Sequence, residues 1–154
     1  MPTENTADDV VLPALLRAAR GAYGHAVRKH LAEGGFDDLP RSGPYVLGGI
    51  VNRAGNASDL IRQLRVSKQA ASQLVDTLVL RGYVERHPDP DDRRRMTIEP
   101  TEHGRAAAAA VREGVEAVDR ELEEKLSAEQ LAGLRAGLFA LLEIVERSEE
   151  TRRQ

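Results

Sequence analysis

The stretch that most constrains the fold is a pair of helical patterns, residues 56–64 and 67–81, with only two residues between them. Asn56 is a good N-cap for the first pattern and Ser67 for the second. Gly82 follows the second pattern, where a left-handed residue often ends a helix. Two helices joined so tightly must cross at a steep angle, which predicts a helix-turn-helix.

The second of these patterns has an apolar face and a polar face. The face predicted to point inward carries Ala70, Ala71, Leu74, Val75 and Leu78. The face predicted to point outward carries Lys68, Gln69, Ser72, Gln73 and Asp76. Side chains near the N-terminal end of such a helix often read base edges, and glutamine can make a bidentate contact with adenine. An ordinary solvated face has the same pattern, so both interpretations are open at this point.

Two short segments after Gly82 alternate apolar and polar residues, which is the period of half-buried strands. They are Tyr83–Arg86 and Met96–Glu99, and between them lies the charged run DPDDRRR, residues 89–95. Two strands around a turn-rich loop predict a β-hairpin. A hairpin directly after a helix-turn-helix is a wing.

Composition and charge narrow the class of protein. With 41% hydrophobic and 31% charged residues, a packed globular chain is expected rather than a disordered one. The net charge is −3, but between Arg53 and Arg95 nine Lys and Arg face six Asp and Glu, so the middle is basic. The absence of cysteine excludes disulfides and thiol redox switches. The acidic N-terminus and the lack of a long apolar run predict a cytoplasmic protein with no membrane partner.

Longer amphipathic helices are predicted at both ends of the chain. One runs over residues 11–31, another from Thr101 to about Lys125, and the last begins at the capping box Ser127–Gln130. The last helix has an apolar stripe of Leu131, Leu134, Leu138, Leu141, Leu142 and Val145. Because a small winged helix cannot cover so much apolar surface, these helices are expected to pair with a second copy in a two-fold dimer.

The order of the elements resembles the MarR (multiple antibiotic resistance regulator) family of bacterial transcription regulators. The residues Leu78 to Arg86, followed by Asp89 to Arg94, are similar to the family signature "L-x-x-x-G-hydrophobic-V-x-R … D-x-x-D-x-R". Thr101 and Gly104 match its closing positions. One departure is Pro100, which cannot donate a ladder hydrogen bond, so the second strand is expected to end early or lie at an edge.

The resemblance implies a mostly α, winged-helix fold of about six helices and a two-stranded hairpin, in a single domain over residues 1–154. Helices within 8–33 and 105–150 would form the dimerisation region, and residues 42–104 the DNA-binding region. The implied function is a homodimeric regulator, expected to be a repressor, which binds double-stranded DNA at a pseudo-palindrome. The implied DNA contacts are Ser67, Lys68, Gln69, Ser72, Gln73, Arg93, Arg94 and Arg95.

Within that set the resemblance places Arg94 in the minor groove and gives Asp92 the role of bracing the wing. Family members also bind small molecules between the dimerisation helices and the winged region. The candidates for such an effector site here are Tyr23, His25, Arg28 and Tyr45, for which packing roles are also open. No cofactor is implied.

Three other functions compete with DNA binding as interpretations of the sequence. The carboxylates of DPDD lack the spacing and central glycine of an EF-hand, and His25 and His30 are five residues apart, on different helix faces, so no metal site is predicted. No nucleophile–base pair or glycine-rich phosphate loop indicates an enzyme. A winged helix that binds proteins is the alternative, and an apolar outward face on the second helix of the pair would favour it.

Overall fold

The computed structural model describes residues 10–51, 67–90 and 96–153 of the chain. Those residues form five helices and two strands: α1 Leu12–Glu33, α2 Gly43–Val51, α3 Lys68–Leu80, β1 Val84–Pro88, β2 Met96–Pro100, α4 Glu102–Lys125 and α5 Ala128–Arg153. The predicted short helix from Asn56 lies outside the described residues. Contacts divide the chain into two compact units, residues 1–116 and 117–154. The mostly helical fold with a two-stranded hairpin, predicted from sequence, is confirmed.

Two long helices begin at side-chain caps that the sequence predicts. The Oγ1 of Thr101 accepts a hydrogen bond from the Gly104 N–H at 3.0 Å, at the start of α4. Before α5 the capping box is reciprocal: the Ser127 N–H donates to Gln130 Oε1 at 2.8 Å, and the Gln130 N–H donates to Ser127 Oγ at 3.2 Å. These bonds satisfy N–H groups that have no partner inside the helix, so they fix where each helix starts.

The hydrophobic core lies in the first unit, between α1, α2, α3, the hairpin and the first half of α4. Its buried members are Val27, Leu31, Val46, Leu47, Leu78, Tyr83, Val84, Ala107, Ala108 and Ala110. The alanine tract gives α4 a flat, small surface, and Gly114 continues it. A Cβ on Gly114 would lie 2.7 Å from the Cα of Val27, so α1 and α4 approach more closely than side chains would permit.

The two strands form an antiparallel sheet, with Val84 opposite Pro100 and Pro88 opposite Met96. The second strand therefore does not end before Pro100, although both strands of a two-stranded sheet are edges, as the proline requires. The ladder continues beyond Pro100, because the Thr101 N–H donates to the Tyr83 carbonyl oxygen at 3.1 Å.

Tyr83 joins the exit of α3 to the start of α4. Its side chain is fully buried. The Thr101 hydroxyl lies 2.6 Å from the Gly82 carbonyl oxygen and 3.1 Å from that of Tyr83. A Cβ on Gly104 would collide with the same Tyr83 carbonyl oxygen. The first turn of α4 is thus packed directly against the backbone that leaves α3.

An aromatic and polar network surrounds the Tyr83 ring. The ring stacks on His103, with centroids 4.5 Å apart, and Phe36 lies 5.2 Å from His103. The Tyr83 hydroxyl donates to the Asp38 carboxylate, and the Arg81 guanidinium donates to the Asp38 backbone oxygen. Burial and the hydrogen bond to Asp38 raise the pKa of the Tyr83 hydroxyl well above its usual range. The loop between α1 and α2 is therefore tied to the end of α3.

Apolar side chains remain exposed on α5 and at the start of α1. Leu134, Leu138 and Leu142 are 44%, 40% and 56% exposed, and they belong to the predicted apolar stripe. Leu12, at the start of α1, is 57% exposed. No helix in the described part of the chain is both long and apolar enough to cross a membrane.

Candidate nucleic-acid interface

The helix that carries the predicted base-reading residues is α3. It begins at Ser67, whose Oγ accepts a hydrogen bond from the Ala70 N–H at 3.1 Å. The hydroxyl proton of Ser67 can still donate to an outside acceptor. At the other end Gly82 has a φ of +74°, a left-handed conformation that side chains disfavour. Both helix boundaries predicted from sequence are confirmed.

The two faces of α3 are largely those that the periodicity predicts. Ala71, Val75 and Leu78 are buried, and Leu74 is half-buried. Ala70 is exposed, so its placement on the inward face was wrong. It lies at the margin of the apolar stripe, where sequence period alone cannot tell which side of the boundary a small residue takes.

The polar face of α3 is exposed over its first three turns. Its exposed members are Lys68, Gln69, Ser72, Gln73 and Asp76. Together they present a cation, two amides, a hydroxyl and, further along the helix, the carboxylate of Asp76. The first four lie towards the end of the helix where the backbone N–H groups give a partial positive charge. The donors among the first four suit phosphate oxygens and base edges.

The hairpin is connected to α3 by an ion pair as well as by the chain. Arg86 on β1 has its Nη2 2.5 Å from Oδ1 of Asp76 on α3. Both side chains are partly exposed, at 37% and 58%. Asp76, predicted only as part of the outward face, therefore has a partner in the hairpin.

The charged run between the two strands, residues 89–95, lies partly outside the described residues. Asp92, Arg93, Arg94 and Arg95 lie outside the described residues, and their predicted roles stay predictions. The described strands place Pro88 and Met96 opposite each other, so residues 89–95 connect the far end of the hairpin.

The candidate effector residues lie on two different helices. Tyr23, His25 and Arg28 are on α1, and Tyr45 is on α2. Tyr23 is half-buried, whereas the other three are exposed. The Arg28 guanidinium lies along its own helix, 3.2 Å from the position of a Cβ on Gly24. These residues stay candidates, since nothing in their geometry tests an effector site.

Sequence reasoning missed two features that support α3. One is the pair formed by Asp76 and Arg86, ten residues apart. The other is Asp38, which contacts Tyr83 and Arg81 from more than forty residues away. The sequence signal for the pair of Asp76 and Arg86 is weak: it consists of opposite charges on a helix and on the strand that follows it. Nothing in the sequence pattern links Asp38 to Tyr83 or Arg81.

Among the described residues no cluster of three metal-binding side chains occurs.

Comparison with known proteins shows a similarity to the MarR family. A model of the MarR family matches residues 38–95, which include α2, α3 and β1. The MarR protein of E. coli, in its wild-type apo form, is 25% identical and superposes with a TM-score of 0.60, covering 86% of this chain and 97% of that chain. The chain is therefore similar to the MarR family over residues 38–95, and its fold is that of MarR. Transcription regulators of this family are not enzymes, in agreement with the prediction from sequence.

Two further solved structures that resemble this chain contain DNA. A mutant of E. coli MarR complexed with operator DNA is 26% identical, with a TM-score of 0.68 over 85% of this chain and 93% of that chain. The S. aureus MepR–DNA complex is 20% identical, with a TM-score of 0.71 over 87% of this chain and 98% of that chain, which shows the shared fold. No curated protein matches the chain by sequence.

Proposed function

We propose that this chain is a MarR-like homodimeric transcription regulator that binds double-stranded DNA at a pseudo-palindromic site and represses the genes beside it. The observation that best supports this function is the exposed polar face of α3. That helix is capped by Ser67 and followed directly by the hairpin. E. coli MarR, its relative at 26% identity, was crystallised with operator DNA. The chemistry of the face and the family support the same function.

The proposed contacts divide between two grooves. Gln69, Ser72 and Gln73 would meet base edges in the major groove, where amides and hydroxyls can distinguish base pairs. Ser67 and Lys68, at the helix start, would contact phosphates, which position the protein without reading sequence. Arg94, with Arg93 and Arg95 beside it, would reach the minor groove, where a narrow groove concentrates negative potential.

The described surface disfavours the alternative, a winged helix that binds proteins. Protein interfaces have apolar centres with few charged residues. The outward face of α3 is instead made of Lys68, Gln69, Ser72, Gln73 and Asp76, all exposed. Such a face is better suited to a polyanion than to an apolar groove.

The exposed apolar residues of α5 and of the start of α1 support the dimer, because a second chain would remove them from water. A two-fold dimer would also place two α3 helices on one side of the DNA. Recognition helices related by a two-fold axis then meet half-sites about 10 base pairs apart. A small molecule bound near Tyr23, His25, Arg28 and Tyr45 would change that spacing and release the DNA. Which small molecule does so is not indicated by the residues.

In vitro selection from a library of random duplexes tests this function. The full-length protein should enrich an inverted repeat with half-site centres separated by about one helical turn. A variant in which Gln69, Ser72 and Gln73 are all replaced by alanine should fold but lose the enrichment, because the replaced side chains lie outside the core. Enrichment of no duplex by the wild-type protein would contradict the proposal, and enrichment of single half-sites would contradict its dimeric part.

A further inference from the structure

The ion pair between Asp76 and Arg86 joins two elements that the proposed function brings to DNA together. Asp76 follows Ser72 by four residues and Gln73 by three, so it lies on the same face of α3 as the proposed base-reading side chains. Arg86 lies on β1, two residues after the buried Val84 and opposite the half-buried Ile98. Side chains two apart on a strand share a face, so Arg86 lies on the face that packs towards the core and α3.

The exposure of the pair limits how much it can contribute to folding stability. The Nη2 of Arg86 is 2.5 Å from Oδ1 of Asp76, yet the two side chains are 37% and 58% exposed. Ion pairs this exposed contribute little to the free energy of unfolding, because solvent screens the charges and two side chains lose rotamer freedom. The buried junction of Tyr83, Thr101 and Gly104 already fixes the near end of the hairpin. The pair acts one step further along, at the middle of β1.

The charge of Asp76 gives a second reason for the pairing. A carboxylate on the face that approaches DNA would repel phosphates if it were unpaired. Arg86 offsets that charge and, because its hydrogen bond is directional, holds β1 at one distance from α3.

We propose that Asp76 and Arg86 are positioning residues for DNA binding: their ion pair fixes the hairpin against α3, so that the helix and the hairpin engage adjacent grooves at the same time. The inference rests on the proposed function and adds a role for two residues outside the predicted contact set. It predicts that removing Asp76 weakens binding to DNA, whereas the loss of a negative charge alone would strengthen that binding.

The test measures binding to the duplex that the wild-type protein selects from a random library. The variants are Asp76→Ala, Arg86→Ala and the double variant, and Glu85→Ala removes a carboxylate from the neighbouring position of β1 as a control. Charge alone predicts that losing Asp76 tightens binding to a polyanion. The positioning role predicts that Asp76→Ala and Arg86→Ala each weaken binding on the order of tenfold, and that the double variant is no weaker than either. Glu85→Ala should not weaken binding.

A footprint and a melting curve separate positioning from misfolding. In Asp76→Ala the DNA cleaved by hydroxyl radicals should lose protection in the flanking minor grooves and keep it in the major grooves. The midpoint of thermal unfolding should stay within about 3 °C of wild type. Unchanged or tighter binding by Asp76→Ala, or additive losses in the double variant, would overturn the inference and leave the proposed function intact. If the wild-type protein selects no duplex, the proposed function fails and the inference is overturned with it.

Discussion

Gly104 lies where the first turn of α4 meets the backbone of Tyr83. Any side chain there would collide with the Tyr83 carbonyl oxygen, and a backbone atom held by the Thr101 N–H and hydroxyl cannot move aside. The sequence pattern predicts that Thr101 caps α4. It does not predict why glycine follows three residues later, because that reason is a contact across more than twenty residues.

We expect Gly104→Ala to lower the free energy of unfolding by about 1–3 kcal/mol or more, the usual cost of overpacking a buried site. Urea unfolding followed by circular dichroism measures it. Gly21→Ala is the matched control, since that glycine also lies in a helix but has open space around its Cβ position. The control should gain about 0.5–1 kcal/mol from the better helix propensity of alanine. Equal effects of the two substitutions would contradict the close contact.

Tyr83 supplies a pH-dependent contribution to stability. Burial, then the hydrogen bond to Asp38, raises the pKa of the Tyr83 hydroxyl above its ordinary value of 10.0. In the unfolded chain the hydroxyl loses its proton near that ordinary pKa, while the folded chain keeps it. The contribution is therefore fully present below pH 10 and is lost as the pH rises towards the folded pKa.

We expect Tyr83→Phe to keep the stacking on His103, to lose about 1–2 kcal/mol at pH 8, and to lose less stability than wild type between pH 8 and about pH 11. Urea unfolding at the two pH values gives both differences. Tyr45→Phe removes a hydroxyl from an exposed ring and serves as the control. Parallel pH dependence in wild type and Tyr83→Phe would show that Tyr83 does not titrate differently in the two states.

At the scale of elements, local signals predicted most boundaries. Caps and left-handed glycines act within four residues, so Ser67, Gly82, Thr101 and Ser127 could be placed from sequence alone. The limits of each face were less predictable. Ala70 is exposed although its spacing suits the core, because packing against neighbouring elements decides the margin of a face.

Substitutions in α3 and in the hairpin connection should affect DNA binding differently. Gln69→Ala should relax the preference at one or two base pairs, because a lost base-edge contact removes discrimination. Arg94→Ala should cost about 1–3 kcal/mol of binding free energy with the dimer intact. Repeated in vitro selection measures the first effect, and fluorescence anisotropy with the selected duplex the second. An unaltered specificity profile for Gln69→Ala would argue against α3 as the reading helix, and unchanged affinity would remove Arg94 from the site.

At the scale of the whole molecule, α5 exposes part of the apolar stripe that the periodicity predicts. Leu134, Leu138 and Leu142 are each at least 40% exposed. Sequence could predict this surplus, since the stripe is longer than a small winged helix can bury. It could not predict which surface would cover the stripe in the proposed dimer, because that depends on two chains and the crossing angle of their helices.

We expect Leu138→Glu to convert the proposed dimer to a monomer, because each interface with two-fold symmetry would contain the new carboxylate twice, in an apolar setting that cannot satisfy it. Sedimentation should then give a mass near the 16.9 kDa of one chain. Ala136→Glu introduces the same charge on the opposite side of α5 and should leave the dimer intact. Because a monomer reads one half-site, Leu138→Glu should also abolish the preference for inverted repeats while the chain stays folded. A dimer that survives the substitution would place the interface on another surface of the protein.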